Sequence, residues 1–258
     1  MLPILARNGT ISGCIMPKNA SLPEWERVLS AAARLQGLLP GSVLVGGTAS
    51  AIHGRHRFSR DADPVLTDLR QRFDKVLEQL ESVAGWKTAR VQRPVQILGS
   101  LDGIETGIRQ LIREAPLETT VVEYGGQAIT IPTKREILRI KSALILRRNA
   151  TRDYLDFVAL AEQLGEAQTA DALKDFDRLY PQPNKASALQ QLQIQLANPL
   201  PYDLEETRLA EYKSLAPKWH DWKRVAKACA DCATAIFERA SASEGEHKKK
   251  GRQKRTAL

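Results

Sequence analysis

The chain has 258 residues, of which 43% are hydrophobic, so it can bury one large core or two modest ones, and wholesale disorder is excluded. No apolar run approaches the roughly 20 residues that cross a bilayer, and Arg7 follows the first apolar residues too closely for a signal peptide. We therefore expect a cytoplasmic protein with no membrane partner. Lysine and arginine (38) exceed aspartate and glutamate (30) by 8, which favours a polyanionic partner such as nucleic acid. Six of these basic residues follow Glu246, which leaves residues 1–246 nearly neutral.

Hydrophobic periodicity and turn residues predict alternating helices and strands in the first part of the chain. Gly46-Gly47 separates a short apolar strand from a short helix, and Gly125-Gly126 between two strand-like runs is typical of a β-hairpin. The predicted elements are, in chain order, a helix ending at Leu35, a strand over 42–45, a helix over 48–52, a strand over 58–66, a helix over 70–83, strands over 86–91 and 94–98, a helix over 104–113, and hairpin strands over 119–124 and 127–131.

From Thr133 onward, every segment has a helical pattern. A capping sequence, Thr133-Lys134-Arg135-Glu136, opens the first helix, and Gly165 ends the second. The predicted helices cover 133–148, 151–164, 169–180, 186–197 and 217–240, and the residues from Ser241 have the composition of a disordered tail. We therefore expect an α+β fold with an α/β domain over 1–132, a helical domain over 133–240 and a basic disordered tail over 241–258.

The clearest chemical signal is a set of three polar residues in the second predicted strand. Ser59, Asp61 and Asp63 alternate with other residues, so on a strand their side chains share one face. The Cα atoms of the two aspartates would lie about 6.6 Å apart, close enough for both carboxylates to reach one divalent cation or a bridged pair. Such oxygen ligands suit Mg²⁺ or Mn²⁺ shared with phosphates, which indicates a nucleoside triphosphate (NTP) as substrate. A solvated strand edge would give the same pattern.

The Gly46-Gly47 turn precedes this strand. Bare N–H groups at a helix N-terminus favour phosphate, although a glycine pair before a helix is often an ordinary turn. The stretches 45–53 and 57–63 together resemble the AbiEii/AbiGii-type toxin nucleotidyltransferases, which include the MenT toxins and belong to the superfamily of polymerase β. The resemblance implies a polymerase-β-like mixed sheet with flanking helices. We expect Asp61 and Asp63 to be catalytic metal ligands, and Gly46, Gly47 and Ser59 to contact phosphate.

A second block, over residues 141–157, resembles the same family's K-x-x-A-L, arginine and [KR]-D-x-x-D-L pattern. Lys141 rises from a partly apolar helical face and needs a partner, while Asp153 and Asp156 lie about one turn apart on the next helix. A snorkelling lysine with an inter-helix salt bridge would explain this pattern as well. The resemblance implies instead that Lys141 contacts the triphosphate. It also implies that Asp153, as a catalytic residue, or Asp156, as a nucleotide-binding residue, lies near the nucleotide or orients the lysine.

One feature departs from the superfamily pattern, which usually has a third carboxylate on a later strand. In the stretch 94–98 that position is occupied by Gln96. Without this acid, a general base and a ligand for a second metal would be missing. Asp102 could take its place if the alignment is shifted by a loop.

Several arginines flank the two motifs and could line a channel for an RNA backbone, with affinity that falls steeply with salt. Solvated protein faces would also carry such residues. The candidate RNA-binding residues are Arg57, Arg60, Arg147, Arg148 and Arg152.

We predict a nucleotidyltransferase that moves a nucleoside monophosphate from an NTP to an acceptor hydroxyl and releases pyrophosphate, with its active site in the cleft between the two domains. The family resemblance implies a bacterial or phage-defence toxin with a cognate antitoxin, and its MenT branch implies tRNA 3′ ends as acceptor. One alternative is the same chemistry on a protein or a small molecule. Another is a catalytically inactive nucleotide- or RNA-binding module that lost its third acid at Gln96.

Overall fold

The structure, a computed structural model, describes residues 10–11, 22–183 and 185–255, with side chains described over 24–183 and 185–241. The described residues form two compact units. The first contains the residues up to Ile137 together with Ala210–Pro217, and the second contains Leu138–Leu209 and the residues from Lys218. The sequence-based boundary after residue 132 stays a prediction, because these units divide within a helix and the segment 210–217 belongs with the first unit.

Strands dominate the first unit and helices the second. The elements are β1 Thr10–Ile11, α1 Leu22–Leu38, β2 Val43–Leu44, α2 Gly46–Gly54, β3 Pro64–Leu66, α3 Leu69–Glu81, β4 Trp86–Gln92, β5 Gln96–Leu101, β6 Ile104–Gln110, β7 Thr119–Tyr124, β8 Gln127–Pro132, α4 Lys134–Arg148, α5 Thr151–Leu164, α6 Glu166–Leu173, α7 Phe176–Leu179, α8 Ala188–Ala197 and α9 Trp222–Arg255. Short 3-10 helices cover Leu209–Glu211 and Pro217–Trp219.

Five strands form a mixed sheet in the order β2-β3-β6-β5-β4. β3 and β6 run parallel, and the other neighbouring strands are antiparallel. β6 is therefore the strand beside β3, although three elements, α3, β4 and β5, separate the two strands along the chain. This adjacency decides which side chains can meet the residues that lead into β3.

One face of this sheet is apolar and the other is polar. Ile97, Leu101, Ile104 and Ile108 point to the same side and are buried, and α1 and α3 both contact the sheet. The opposite side, here called the open face, carries residues that are exposed or half-buried. These residues are Lys87, Arg90 and Gln92 on β4, Gln96, Leu98 and Ser100 on β5, and Glu105 and Arg109 on β6.

A second sheet has the order β1-β7-β8. The predicted hairpin is confirmed: β7 and β8 pair antiparallel on either side of Gly125 and Gly126, which both have positive φ. Gln36 of α1 exchanges two hydrogen bonds with the Thr130 backbone of β8, at 2.7 and 2.8 Å. These bonds satisfy strand groups and attach α1 to the second sheet.

The second unit is helical, as predicted. α5 coincides with the predicted helix over 151–164, and most of its residues are buried. The predicted cap of α4 is also present, because the Glu136 N–H donates to the Thr133 hydroxyl at 3.2 Å. α9 packs against α5, α6 and α8.

Several predicted elements differ from the structure. Residues 104–110 form β6 rather than a helix, and Ile104, Thr106 and Ile108 share its buried face with the two-residue period of a strand. Ile104, Ile108 and Leu111 also have helical spacing, which led to the helix prediction. The predicted strand over 58–66 is reduced to β3, since only its last residues find a continuous ladder partner.

Two helical predictions also need correction. The predicted helix over 169–180 is divided into α6 and α7. The tail was predicted to be disordered from Ser241, but α9 continues to Arg255. Its alanines, glutamates and lysines are good helix formers, and a helix that has already nucleated extends through them at little cost.

Among the described residues, none of the helices is both long enough and apolar enough to cross a membrane.

Candidate active site

The first turn of α2 presents two glycines to the segment that leads into β3. Gly46 has a φ of +72°, a left-handed conformation that favours glycine. A Cβ on Gly46 would lie 3.5 Å from Oδ2 of Asp63. The helix therefore begins beside this carboxylate, and the N–H groups of its first turn lack intrahelical acceptors.

Hydrogen bonds to the backbone hold the two aspartates in place. The Val45 N–H donates to the Asp63 carbonyl at 2.9 Å, and the Thr48 hydroxyl of α2 donates to the Asp61 carbonyl at 2.5 Å. Ala62, between them, is buried and forms a parallel bridge with β6. Because side chains alternate along an extended segment, both carboxylates project from the side opposite Ala62.

Gly107 of β6 is the neighbour of Asp63 across the sheet. A Cβ on Gly107 would lie 3.1 Å from Oδ1 of Asp63 and 3.2 Å from Nη2 of Arg109. The Asp63 carboxylate and the Arg109 guanidinium thus flank the same glycine. Sequence reasoning missed this neighbourhood because it assigned β6 to a helix.

Gly47 is packed against two polar side chains. A Cβ there would lie 2.7 Å from Oγ of Ser59 and 2.8 Å from Nη2 of Arg57. Arg57 is only 3% exposed, and its Nη1 donates to the Phe58 carbonyl at 2.9 Å. A hydroxyl and a buried positive charge therefore lie at the N-terminal turn of α2. Arg57 was predicted to face RNA, but its burial places it beside this turn instead.

Lys213 was not among the sequence-based candidates. It lies in the segment Ala210–Pro217, and its Nζ is 3.8 Å from Oδ2 of Asp61, with both side chains about one-third exposed (34% and 38%). The two residues are far apart along the chain, and the sequence around Lys213 has no recognisable motif. Only the fold brings them together.

The donor set of the site fits a hard divalent cation. Among the residues whose side chains are described, no group of three or more histidines, cysteines and acids is arranged to hold a metal ion. Asp61 and Asp63 offer two half-buried carboxylates on one side of the segment. Mg²⁺ commonly binds to one or two carboxylates and completes its shell with waters and substrate phosphates, so the pair suits it.

Gln96 occupies the position of the third carboxylate, and Asp102 is the residue that could replace it. Both have other partners in the structure. Gln96 lies opposite Arg109 on β5, and its amide oxygen, once the side chain is flipped, accepts from that guanidinium. Asp102, in the turn between β5 and β6, pairs with Arg34 at 2.5 Å. Glu105 of β6 is the acidic residue beside Asp61 across the sheet. Its backbone carbonyl accepts a hydrogen bond from the Ala62 N–H at 2.9 Å.

The second sequence block forms a buried ion network within the second unit. Nζ of Lys141 lies 2.7 Å from Oδ2 of Asp156 and 3.5 Å from Oδ1 of Asp153. Both aspartates are fully buried, and the Lys141 side chain is 2% exposed. The salt bridge between helices, which was the alternative explanation of this pattern, is therefore present. The roles of Lys141, Asp153 and Asp156 toward a nucleotide stay predictions.

Arg148 completes this network. Its Nε and Nη2 donate to the two oxygens of Asp153 at 2.5 and 2.7 Å, in a bidentate pair. Burial acts to lower the pKa of Arg148, but the hydrogen bond and the charge of Asp153 outweigh burial and raise it. Arg148 is thus a partner of Asp153 rather than a free surface cation.

The other predicted RNA-binding arginines are more exposed. Arg60 pairs with Glu24 at 2.9 Å and keeps 67% of its side chain exposed. Arg147 and Arg152 are also exposed. Their contact with RNA stays a prediction.

Comparison with known proteins identifies the family. Residues 27–238 match the family of nucleotidyl transferase AbiEii toxins, which are assigned to type IV toxin–antitoxin systems. The chain belongs to this AbiEii family. The predicted nucleotidyltransferase family and the predicted α+β fold, with its mixed sheet and flanking helices, are confirmed.

Solved structures with similar folds have low sequence identity to this AbiEii chain. JHP933 from Helicobacter pylori is 18% identical, with a TM-score of 0.48 and coverage of 91% of this chain and 100% of the other. ANT(2″)-Ia, solved in complex with adenylyl-2″-tobramycin, is 14% identical, with a TM-score of 0.45. The match covers 60% of this chain and 98% of ANT(2″)-Ia.

Curated relatives match over a shorter stretch. The mycolic acid-containing lipids exporter MmpL11 of Mycolicibacterium smegmatis and the heme uptake protein MmpL11 of Mycobacterium tuberculosis are each 34% identical over 131 residues. This stretch is 50% of the AbiEii chain and 13% of either relative. The chain thus spans only a small part of the length of these proteins.

Proposed function

We propose that this AbiEii chain transfers a nucleoside monophosphate from an NTP to a hydroxyl at an RNA end, with a divalent cation held by Asp61 and Asp63. The observation that carries the proposal is the pair of carboxylates projecting from one side of an extended segment, directly beside the first turn of α2. Carboxylates can bind a divalent cation, and the N–H groups at a helix N-terminus can bind phosphates.

The metal would bind to the carboxylate oxygens of Asp61 and Asp63. When bound, Mg²⁺ or Mn²⁺ neutralises charge on the phosphates during in-line displacement. The Asp63 carboxylate lies between Gly46 and Gly107 and is half-buried. This placement beside the first turn of α2 supports the pair as ligands rather than as a solvated edge.

The first turn of α2 would contact the phosphates. The N–H groups of Gly46 and Gly47 and the hydroxyl of Ser59 can donate to phosphate oxygens, and the positive end of the helix dipole adds to their effect. Arg57 lies against Gly47 and supplies a fixed positive charge. These groups would hold the α-phosphate while the acceptor oxygen attacks it.

One feature of the first unit supports an RNA acceptor. The open face, to which the acid pair also projects, carries Lys87, Arg90 and Arg109. Arg90 lies in the same row as Gly107 and Asp63, three strands away from Asp63, which is about 14 Å at the usual strand spacing. Cations on an exposed polar surface suit a phosphate backbone and contact it without reading its sequence.

The family supports a toxin that acts with a cognate antitoxin in the cytoplasm, and phage defence would be the corresponding biological role. tRNA 3′ ends are the proposed acceptors. We further propose that Lys141, Asp153 and Asp156 serve the nucleotide, supported by their occurrence in the block that resembles the family pattern.

Transfer can be tested with each α-³²P-labelled NTP, Mg²⁺ and total cellular RNA. We expect label on small RNA and release of pyrophosphate, and expect Asp61→Asn to reduce transfer by at least about a hundredfold, because several kcal/mol of charge stabilisation is lost. Asp68→Asn is the matched control, since Asp68 is an exposed acid of the same unit that pairs with Arg72.

The outcomes separate the alternatives. Label on protein or on a small molecule but not on RNA would replace the acceptor. If expression arrests growth and Asp61→Asn still does so with equal strength, catalysis is not the cause of toxicity, and the nucleotide- or RNA-binding alternative is favoured.

A further inference from the structure

The segment Ala210–Pro217, here called the strap, packs against the chain that leads into the acid pair. It belongs to the first unit, although its neighbours on both sides in the sequence belong to the second. The Phe58 N–H donates to the Lys213 carbonyl at 2.7 Å, and the Ala216 N–H donates to the His56 carbonyl at 2.6 Å. The strap is thus fixed by its backbone.

Side chains add to this attachment. The guanidinium of Arg57 lies 6.0 Å from the centre of the Tyr212 ring, within the range of a cation–π contact. Leu215 is buried, with 2% of its surface exposed. The strap therefore has contacts on both sides of Lys213, and these contacts fix where the Lys213 side chain starts.

The backbone at Lys213 is strained. Lys213 has a φ of +41° and Ser214 a φ of +52°, so two consecutive residues other than glycine adopt left-handed conformations. Such strain persists where surrounding contacts maintain it, and it is concentrated at ligand-binding sites. Here it directs the lysine toward the acids, with Nζ 3.8 Å from Oδ2 of Asp61.

This pair of charges does little for stability. Both side chains are about one-third exposed, and exposed pairs at such a distance contribute little to folding. A strained backbone that delivers a lysine to an acidic site is better explained by a ligand. A compact ammonium on a flexible stem is a common phosphate ligand.

We propose that Lys213 is a substrate-binding residue that contacts the triphosphate of the incoming NTP, an inference that rests on the proposed function. Asp61 would hold the cation, and the ammonium of Lys213 would then be available to the β- and γ-phosphates. As the acceptor oxygen bonds to the α-phosphorus, the bond from that phosphorus to the bridging oxygen breaks, pyrophosphate leaves with the electron pair, and the acceptor proton passes to water. Lys213 neutralises charge that grows on pyrophosphate.

Binding can be measured without turnover, by calorimetry with α,β-methylene NTP and Mg²⁺ on the full chain. We expect Lys213→Ala to weaken binding about tenfold, the usual effect of losing one charge-assisted hydrogen bond. Lys213→Arg should restore most of the affinity. The matched control is Lys75→Ala, since Lys75 is an exposed lysine on α3 of the same unit.

A parallel titration with the unphosphorylated nucleoside separates phosphate binding from a structural effect of the strap. The proposal requires nucleoside affinity, and the melting temperature of the free protein, to be the same in Lys213→Ala and wild type. Unchanged NTP affinity, or an equal loss for NTP and nucleoside, would overturn it. Failure of wild type to bind NTP would instead overturn the proposed function.

Discussion

At the scale of single residues, the site depends on its glycines as much as on its polar side chains. Gly46, Gly47 and Gly107 each leave room for a polar group of a neighbouring segment. The carboxylate of Asp63 occupies the space beside two of them, and Ser59 and Arg57 occupy the space beside the third. A methyl group at Gly47 or Gly107 would crowd these polar groups, whereas at Gly46 it is the φ of +72° that favours glycine.

Gly47→Ala should test this packing. Its Cβ would lie within 2.8 Å of Ser59 Oγ and Arg57 Nη2, so we expect a loss of about 1–3 kcal/mol in unfolding free energy and a strong loss of transfer. Urea denaturation and the labelled-NTP assay measure the two effects. Adding Ser59→Ala should recover part of the lost stability.

The control for this variant is Gly37→Ala in α1, where an added Cβ meets nothing within 4 Å. It should raise stability by about 0.5–1 kcal/mol, because alanine is the better helix former. If Gly47→Ala were equally stable, the contacts around Gly47 would have been misjudged.

At the scale of elements, α2 is attached to the second sheet by one buried side chain. Nε2 of His53 in α2 lies 2.8 Å from the Pro132 carbonyl at the end of β8. Burial lowers the pKa of His53 below 6.5, the hydrogen bond to Pro132 raises it less, and the charge of Lys134 lowers it further. The neutral ring therefore donates its Nε2 proton to this carbonyl.

This lowered pKa predicts a pH dependence of stability. As pH falls below about 6.5, the unfolded chain takes up a proton at His53 that the folded protein does not, so stability present above this pH is lost. His53→Gln can keep a donor near Pro132 without titrating. Melting temperatures at pH 7.5 and 5.5 should drop less for this variant than for wild type, and equal drops would refute the assignment.

The buried network between α4 and α5 belongs to the same scale. Removing Lys141 would leave Asp153 and Asp156 buried with one cation fewer, which typically costs several kcal/mol. Loss of activity in Lys141→Ala would therefore not by itself identify a ligand of the nucleotide.

At the scale of the whole molecule, the positive surplus is divided between a terminal segment and the open face. Six basic residues follow Glu246, while Lys87 and Arg90 lie on β4, on the open face of the sheet. Both groups can attract RNA, and the second lies on the side of the sheet to which the acid pair projects. Removing one group or the other should therefore affect RNA binding and transfer differently.

RNA binding measured against salt should separate them. Lys87→Ala/Arg90→Ala should flatten the slope of log affinity against log salt by about 1.4 if both contact single-stranded phosphates, and it should reduce transfer. Deleting residues 247–258 should weaken binding at low salt, yet leave transfer at saturating RNA largely intact.

The control is Arg70→Ala/Lys75→Ala, which removes two exposed cations of α3 in the same unit. It should leave the salt slope near that of wild type. Loss of all transfer at saturating RNA after the deletion would show that the terminal segment takes part in the reaction.

The sequence by itself determined the family, the α+β class, the hairpin at Gly125-Gly126 and the candidate acids Asp61 and Asp63, because these depend on local spacing and turn chemistry. It could not decide that β6 is a strand beside β3, since Ile104, Ile108 and Leu111 fit a helix as well as a strand. Only tertiary structure determined that Lys213 lies beside Asp61, because that contact joins distant segments and no local pattern encodes it.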